Sequence, residues 1–196
     1  NTSTDNTANT VRSSISNEKY SPDLQKSIPS PTYWTGKHDV TIYADFQCPA
    51  CINFSEWLGK IFESYADAGL ITITYKQFPL TSIHKNAYRD AIAALCSAEQ
   101  WKYNAGKKVL YTLESQKKGA TVTDTDRINT LVSAWLNQDA LTQCLSDNRY
   151  AKQVDEEVMA GDKAGVSGTP TVMLNGTRLD LGVVFADMEK GKAFLD

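Results

Sequence analysis

A chain of 196 residues, 41% hydrophobic and 22% charged, has the length of one domain or of one domain with a sizeable insertion. It carries enough apolar material for a core that needs no metal or disulfide to hold it. The net charge of −3 and a pI near 5.4 exclude nucleic acid as an expected partner, because phosphate binding needs a basic face. No run approaches the roughly 18 apolar residues of a membrane-spanning helix, and no secretory leader is present, so the sequence reads as a mature or trimmed form.

Residues 1–37 are rich in Asn, Thr and Ser and close on Ile28-Pro29-Ser30-Pro31, a composition that reads as a polar arm or tether, with Trp34 placed to pack it onto the domain. Val40 to Phe46 has the β-branched and aromatic content of a strand. Pro49 opens a helix, where its missing N–H costs nothing. Apolar residues near a 3.6 period continue that helix from Ile52 to Ala68, and Gly69 stops it. Leu70 to Phe78 is a second strand, so residues 38–82 form a βαβ unit with parallel strands and a right-handed crossover.

Residues 83–164 read as helical throughout. The expected helices are Asn86–Trp101, Lys107–Lys117, Thr125–Leu136 with Asp124 as N-cap, Asp139–Leu145, and Tyr150–Lys163 ending at Gly165. Trp57, Trp101 and Trp135 fall on these helices and are expected in the core, while Lys117-Lys118 reads as a solvated turn. In residues 165–196 the period changes back. Thr171–Leu174 is a strand, Asn175-Gly176 is a strong two-residue hairpin signal, Thr177–Leu181 pairs back antiparallel, and Val183–Leu195 is an amphipathic helix. The order is βαβ, a helical block, then ββα.

Four cysteines are present, and two of them form Cys48-Pro49-Ala50-Cys51 at the strand-to-helix junction. A sulfur at a helix N-terminus meets unpaired N–H groups and the positive end of the dipole, which favour thiolate over thiol. The thiolate is the reactive form, so Cys48 is the expected nucleophile. Cys51, one turn on, is placed to resolve a mixed disulfide. The same spacing also serves zinc sites, but those need a second close pair, and His84 and Cys96 lie far downstream; no metal is expected. Gly165-Val-Ser-Gly-Thr-Pro puts Pro170 at the opening of a strand, which fits a cis Thr169–Pro170 bond beside the sulfurs; the alternative is an ordinary trans turn. For Cys96 and Cys144 the expectation is a structural disulfide, against free buried thiols, a second redox pair or shared metal ligation. For His84 the expectation is loop bracing or helix capping, with catalysis the alternative. His38 has no supporting context.

Asp45-Phe-Gln-Cys-Pro-Ala-Cys, Phe78-Pro-Leu, His84, the Ala-rich helix with Cys96 and Glu99-Gln100, Cys144-Leu145, and Gly-Val-Ser-Gly-Thr-Pro with Asn175-Gly176 together resemble the DsbA-like thioredoxin family from about Val40 to the C-terminus. The resemblance implies an α/β thioredoxin fold with a central mixed sheet and an inserted helical subdomain, a cis Pro170, and a location outside the cytoplasm of a bacterium. The backbone around Thr169 would then dock extended substrate chains by strand-like pairing. Two positions depart from the family pattern. Ile42 stands where many members carry a buried acid six residues before the first cysteine. Ala50 stands where strong oxidases tend to have histidine, so oxidase strength is open.

The expected function is thus an extracytoplasmic thiol–disulfide oxidoreductase, introducing disulfides into exported cysteine-containing proteins. Cys48 and Cys51 do the exchange, Thr169 and Pro170 hold substrate, and no cofactor is required. A membrane redox partner would restore the active site, and a monomer is expected. The alternatives are a reductase or isomerase of the same fold, or a chaperone-like binding module whose C-x-x-C is a structural staple.

Overall fold

The computed structural model describes residues 25–33 and 35–182. The bulk of the polar arm, Trp34 and the expected helix Val183–Leu195 lie outside the described residues.

Five strands, β1 (Thr32–Tyr33), β2 (His38–Ala44), β3 (Ile71–Gln77), β4 (Thr171–Leu174) and β5 (Thr177–Arg178), form one mixed sheet in the order β1-β3-β2-β4-β5. The central strands are β2 (His38–Ala44) and β3 (Ile71–Gln77), parallel with Val40 opposite Ile73 and Ile42 opposite Tyr75. In β3 every second residue is buried, the period of a strand with one face on the core. β4 (Thr171–Leu174) runs antiparallel to β2, with Ile42 opposite Val172. β5 (Thr177–Arg178) returns through Asn175 and Gly176, whose φ values of 48° and 81° are the two left-handed residues that a tight hairpin of this twist requires.

The crossover between β2 and β3 is two helices rather than the single one expected. α1 (Pro49–Glu56) breaks at Trp57, and α2 (Leu58–Asp67) follows it. Gly59 permits the break, because a Cβ there would stand only 3.3 Å from the Phe54 carbonyl oxygen. The break also turns Trp57 out of the core, leaving it 73% exposed.

Between β3 and β4 lies the helical block: α3 (Ala87–Glu99), α4 (Tyr103–Lys117), α5 (Asp124–Val132), α6 (Gln138–Ser146) and α7 (Ala151–Lys163). α3 is its axis. Ala91 through Cys96 are all nearly inaccessible, so this stretch of the helix is buried on every side rather than along one stripe. Trp101 and Trp135, expected in the core, are instead 96% and 85% exposed. The helices stop short of both: α3 ends at Glu99 and α5 at Val132, and the tryptophans sit in the following turns at φ 60° and 64°. The apolar period therefore ran past the real helix ends. α5 is capped by Thr123, not Asp124, in a reciprocal pairing with Asp126.

The inner end of the polar stretch is docked. β1 (Thr32–Tyr33) pairs antiparallel with the edge of β3. The Ile28 amide donates to Gln153 Oε1 (2.9 Å) and the Ser30 hydroxyl to Glu157 Oε1 (2.7 Å), two acceptors one turn apart on α7. Tyr33 packs edge-on against Tyr75.

Candidate active site

β2 ends at Ala44, and its last turn before α1 is built around Asp45. The Asp45 side chain is wholly buried. Its Oδ1 accepts from the amides of Gln47 (2.7 Å) and Cys48 (3.2 Å), and its Oδ2 from the Leu80 amide (2.8 Å) and His84 Nδ1 (2.8 Å). The loop-bracing role expected of His84 is what the geometry displays, and Asp45 shares it. This loop delivers Cys48 to the N-cap of α1 with extended φ and ψ, and Pro49 takes the first helical turn, as its fixed φ favours. Pro49 and Ala50 face solvent.

Cys48 and Cys51 are not bonded to one another in this structure. Cys51 is completely buried, and its sulfur accepts from the Asp45 amide at 3.5 Å. Cys48 is the outer of the two, with its sulfur 3.4 Å from the Thr169 carbonyl oxygen. The Thr169–Pro170 peptide is cis. The segment that sequence places 121 residues away thus lies against the first sulfur. The Thr169 hydroxyl is buried and has no hydrogen-bond acceptor among the described residues, so a thiolate forming next to it would supply one.

The two sulfurs are pushed in opposite directions. Cys48 falls from the ordinary thiol range to about 5, chiefly through the hydrogen bond from the Cys51 thiol. Burial works against that shift, while Thr169 and the amides of Cys51 and Ala50 at the helix start add to it. Cys51 rises well above the ordinary value because it is buried and because a charged Cys48 would repel a second thiolate. One proton shared between two sulfurs, held by the inner one, gives a nucleophile and a protonated neighbour at neutral pH. Ile42, at the position where an acid would be the family pattern, is buried and contributes no charge.

Cys96 and Cys144 are joined to each other, linking α3 to α6 across 48 residues of sequence. Their pairing leaves Cys48 and Cys51 to one another. Among the described residues no group of three or more His, Cys, Asp and Glu side chains is arranged to hold a metal ion. Nor is any helix there long and apolar enough to cross a membrane. An open cleft lined by Gln47, Pro49, Ile52, Ile83 and His84 borders the start of α1. Gln47 is the site residue that sequence reasoning missed: its Oε1 accepts from the Asn86 amide at 2.9 Å and ties the cysteine loop to the first turn of the helical block. Its position next to Cys48 was the only signal available.

A thioredoxin profile matches residues 35–191. The chain therefore belongs to the thioredoxin family. Its fold is that of DsbA-type proteins. DsbA of Chlamydia trachomatis superposes with a TM-score of 0.71 at 17% identity, covering 87% of this chain and 95% of that one. BdbD of Bacillus subtilis gives 0.72 at 18% identity, covering 90% and 94%. MdbA of Corynebacterium diphtheriae, a thiol-disulfide oxidoreductase, gives 0.68 at 17% identity, covering 85% and 96%. Among curated sequences, Na(+)/H(+) antiporter NhaA 3 of Salinispora tropica is 30% identical over 139 residues, 71% of this chain. The chain spans only 20% of that antiporter's length.

Proposed function

We propose that the protein is an extracytoplasmic thiol–disulfide oxidoreductase that introduces disulfides into exported proteins through Cys48 and Cys51. The observation that carries this reading is the placement of the pair: Cys48 caps the start of α1 with its sulfur against the cis Thr169–Pro170 segment, and Cys51 is buried one turn behind it. In the oxidised protein the two are joined. A substrate thiolate attacks Cys48, the Cys48–Cys51 bond breaks, and Cys51 leaves and takes up a proton. The second substrate thiolate then attacks the substrate sulfur of the mixed disulfide and expels the Cys48 thiolate. Two electrons pass from substrate to protein, and the substrate keeps the new disulfide. A stable thiolate is a good leaving group in that last step, which drives the exchange toward the reduced protein.

Thr169 and Pro170 are the proposed substrate contact. The Cys48 sulfur already touches the Thr169 carbonyl, so an extended chain pairing with this backbone would bring its cysteine to Cys48. Reoxidation would fall to a membrane redox partner. A location outside the cytoplasm is supported by the Cys96–Cys144 disulfide, a bond that reducing compartments disfavour. The matching stretch in a Na(+)/H(+) antiporter indicates that domains of this kind are also carried on membrane proteins, which fits work at a membrane face.

The test is a glutathione redox titration of the purified protein. A potential between about −120 mV and about −230 mV supports oxidation. A value near or below about −270 mV assigns the protein to reduction, and one below about −300 mV to a structural bond.

A further inference from the structure

Asp45 places a carboxylate directly beneath Cys48. Four N–H donors converge on its two oxygens, the set that an ionised carboxylate satisfies, since it accepts and does not donate. One of those donors is the amide of Cys48 itself. A negative charge held there opposes formation of a thiolate on the same residue, and burial leaves little water to screen it.

His84 is the group that can cancel this charge. Its Nδ1 lies 2.8 Å from Asp45 Oδ2, and its side chain is 15% exposed at the cleft beside α1, within reach of solvent protons. As a neutral ring it only donates a hydrogen bond; as imidazolium it makes an ion pair. The other charged groups of that cleft are Lys85 on the same loop and Glu114 and Lys118 from α4 and its end. The facing residues of α1 there, Pro49, Ile52 and Asn53, carry no charge. Ala50 supplies no cation between the cysteines.

We propose that His84 is a positioning residue whose imidazolium neutralises Asp45 behind Cys48 and thereby makes the reduced pair more stable and its disulfide more oxidising. This rests on reading Cys48 and Cys51 as a redox pair. His84 acts through Asp45 and touches no substrate, and it does from behind the loop what a cation between the cysteines would do from in front.

The experiment compares wild type with His84→Asn, which keeps a donor for Asp45 but cannot carry charge. Each is equilibrated with glutathione at about pH 5.5 and about pH 9, on either side of the ordinary imidazole value of about 6.5. At the lower pH the variant's equilibrium should move at least about fivefold toward the oxidised protein; tenfold would equal about 30 mV for this two-electron couple. At the higher pH the gap should close. No difference, or an equal difference at both pH values, overturns the proposal and leaves His84 as a steric brace. Should His84→Asn not fold, the wild-type ring answers alone, because coupling is reciprocal. Its NMR titration should sit higher in the reduced protein, with the thiolate nearby, than in the oxidised one. Identical titrations in both redox states overturn the proposal. Failure of wild type and variant alike to equilibrate with glutathione overturns the redox reading itself, and this inference with it.

Discussion

The chain holds two cysteine pairs that differ in nearly every physical respect. Cys48 and Cys51 sit three residues apart at the start of a helix, are unbonded, and have their acidities driven apart by one another and by the helix start. Cys96 and Cys144 sit 48 residues apart within two packed helices, both 1% exposed, and are bonded. The first pair closes almost no loop, so forming its bond removes little chain entropy, and its chemistry is set by electrostatics. The second closes a long loop and is sealed from thiolates in solution, so its contribution is to stability. Cysteine is the same residue in both; the helix terminus and the burial make one pair a candidate for exchange and the other a staple.

The largest effect that separates the pairs is on exchange itself. Cys48→Ala should reduce dithiol oxidation of a model peptide on the order of 10³-fold or more, since no other accessible thiol is placed to replace it. Cys51→Ala should instead accumulate mixed disulfides through Cys48, visible by mass spectrometry of the unreduced protein. Cys96→Ala/Cys144→Ala should leave the exchange rate within about twofold. If the double variant is as inactive as Cys48→Ala while still folded, the division between the pairs is wrong.

On stability the order reverses. Removing the Cys96–Cys144 bond should cost about 4 kcal/mol in the chain-entropy account of a loop this long, read from denaturant midpoints of the double variant. The glutathione equilibrium of Cys48 and Cys51 should not change. A cost below about 1 kcal/mol would mean that the helical block restrains its own unfolded chain without the bond.

A third measurement sharpens the comparison through pH. The Cys48 pKa is depressed in the folded, reduced protein, to about 5 from an ordinary thiol value of about 8.5. A depressed group adds stability that is complete above its unfolded value and is lost as pH falls through its folded one. The reduced form should therefore gain about 2–3 kcal/mol at pH 7 from this group, and lose it progressively as pH drops from about 8.5 to about 5. The oxidised form has no such group and should show no corresponding loss. Paired unfolding curves of the two forms across that window give the difference directly. A gap that does not narrow toward pH 5 would mean that the thiolate is not what stabilises the reduced protein.

The parts of this molecule that a reader of the sequence could reach are those whose signals are local. The alternation of β3, the left-handed turn at Asn175-Gly176 and the proline opening α1 each declare their geometry within a few residues. What stayed hidden depends on tertiary partners. β1 is two residues long and exists because β3 offers an edge and because Gln153 and Glu157 on α7 accept from the incoming chain. Trp101 and Trp135 continue an apolar period past the helix ends and then turn outward at positive φ, a conformation rare for a bulky side chain and invisible to periodicity. The cap of α5 was one residue off because Thr123, Asp124, Thr125 and Asp126 can all cap, and only the reciprocal pair with Asp126 selects Thr123. In the candidate site the cysteines and the cis-proline segment were legible as motifs. The Asp45–His84 contact was not, because no local rule relates residues 39 positions apart.

The smallest expected effect concerns Ala50, and it asks whether the exchange pair is tuned from the front or from behind. Ala50 is exposed, so an imidazole placed there would stand in water beside the sulfur rather than in a low-dielectric pocket. Salt screens charges in such positions, and the benefit to a Cys48 thiolate should be modest. Ala50→His should lower the Cys48 pKa further and raise the potential by no more than about 30 mV at moderate ionic strength, a shift of about 1.4 kcal/mol. The increase should shrink when salt is raised, whereas a contribution from the buried Asp45–His84 pair should not. Glutathione titrations of wild type, Ala50→His and His84→Asn at low and high salt separate the two. A rise well beyond about 30 mV that survives high salt would mean that the dipeptide between the cysteines controls this site, and that the carboxylate beneath Cys48 matters less than its burial suggests.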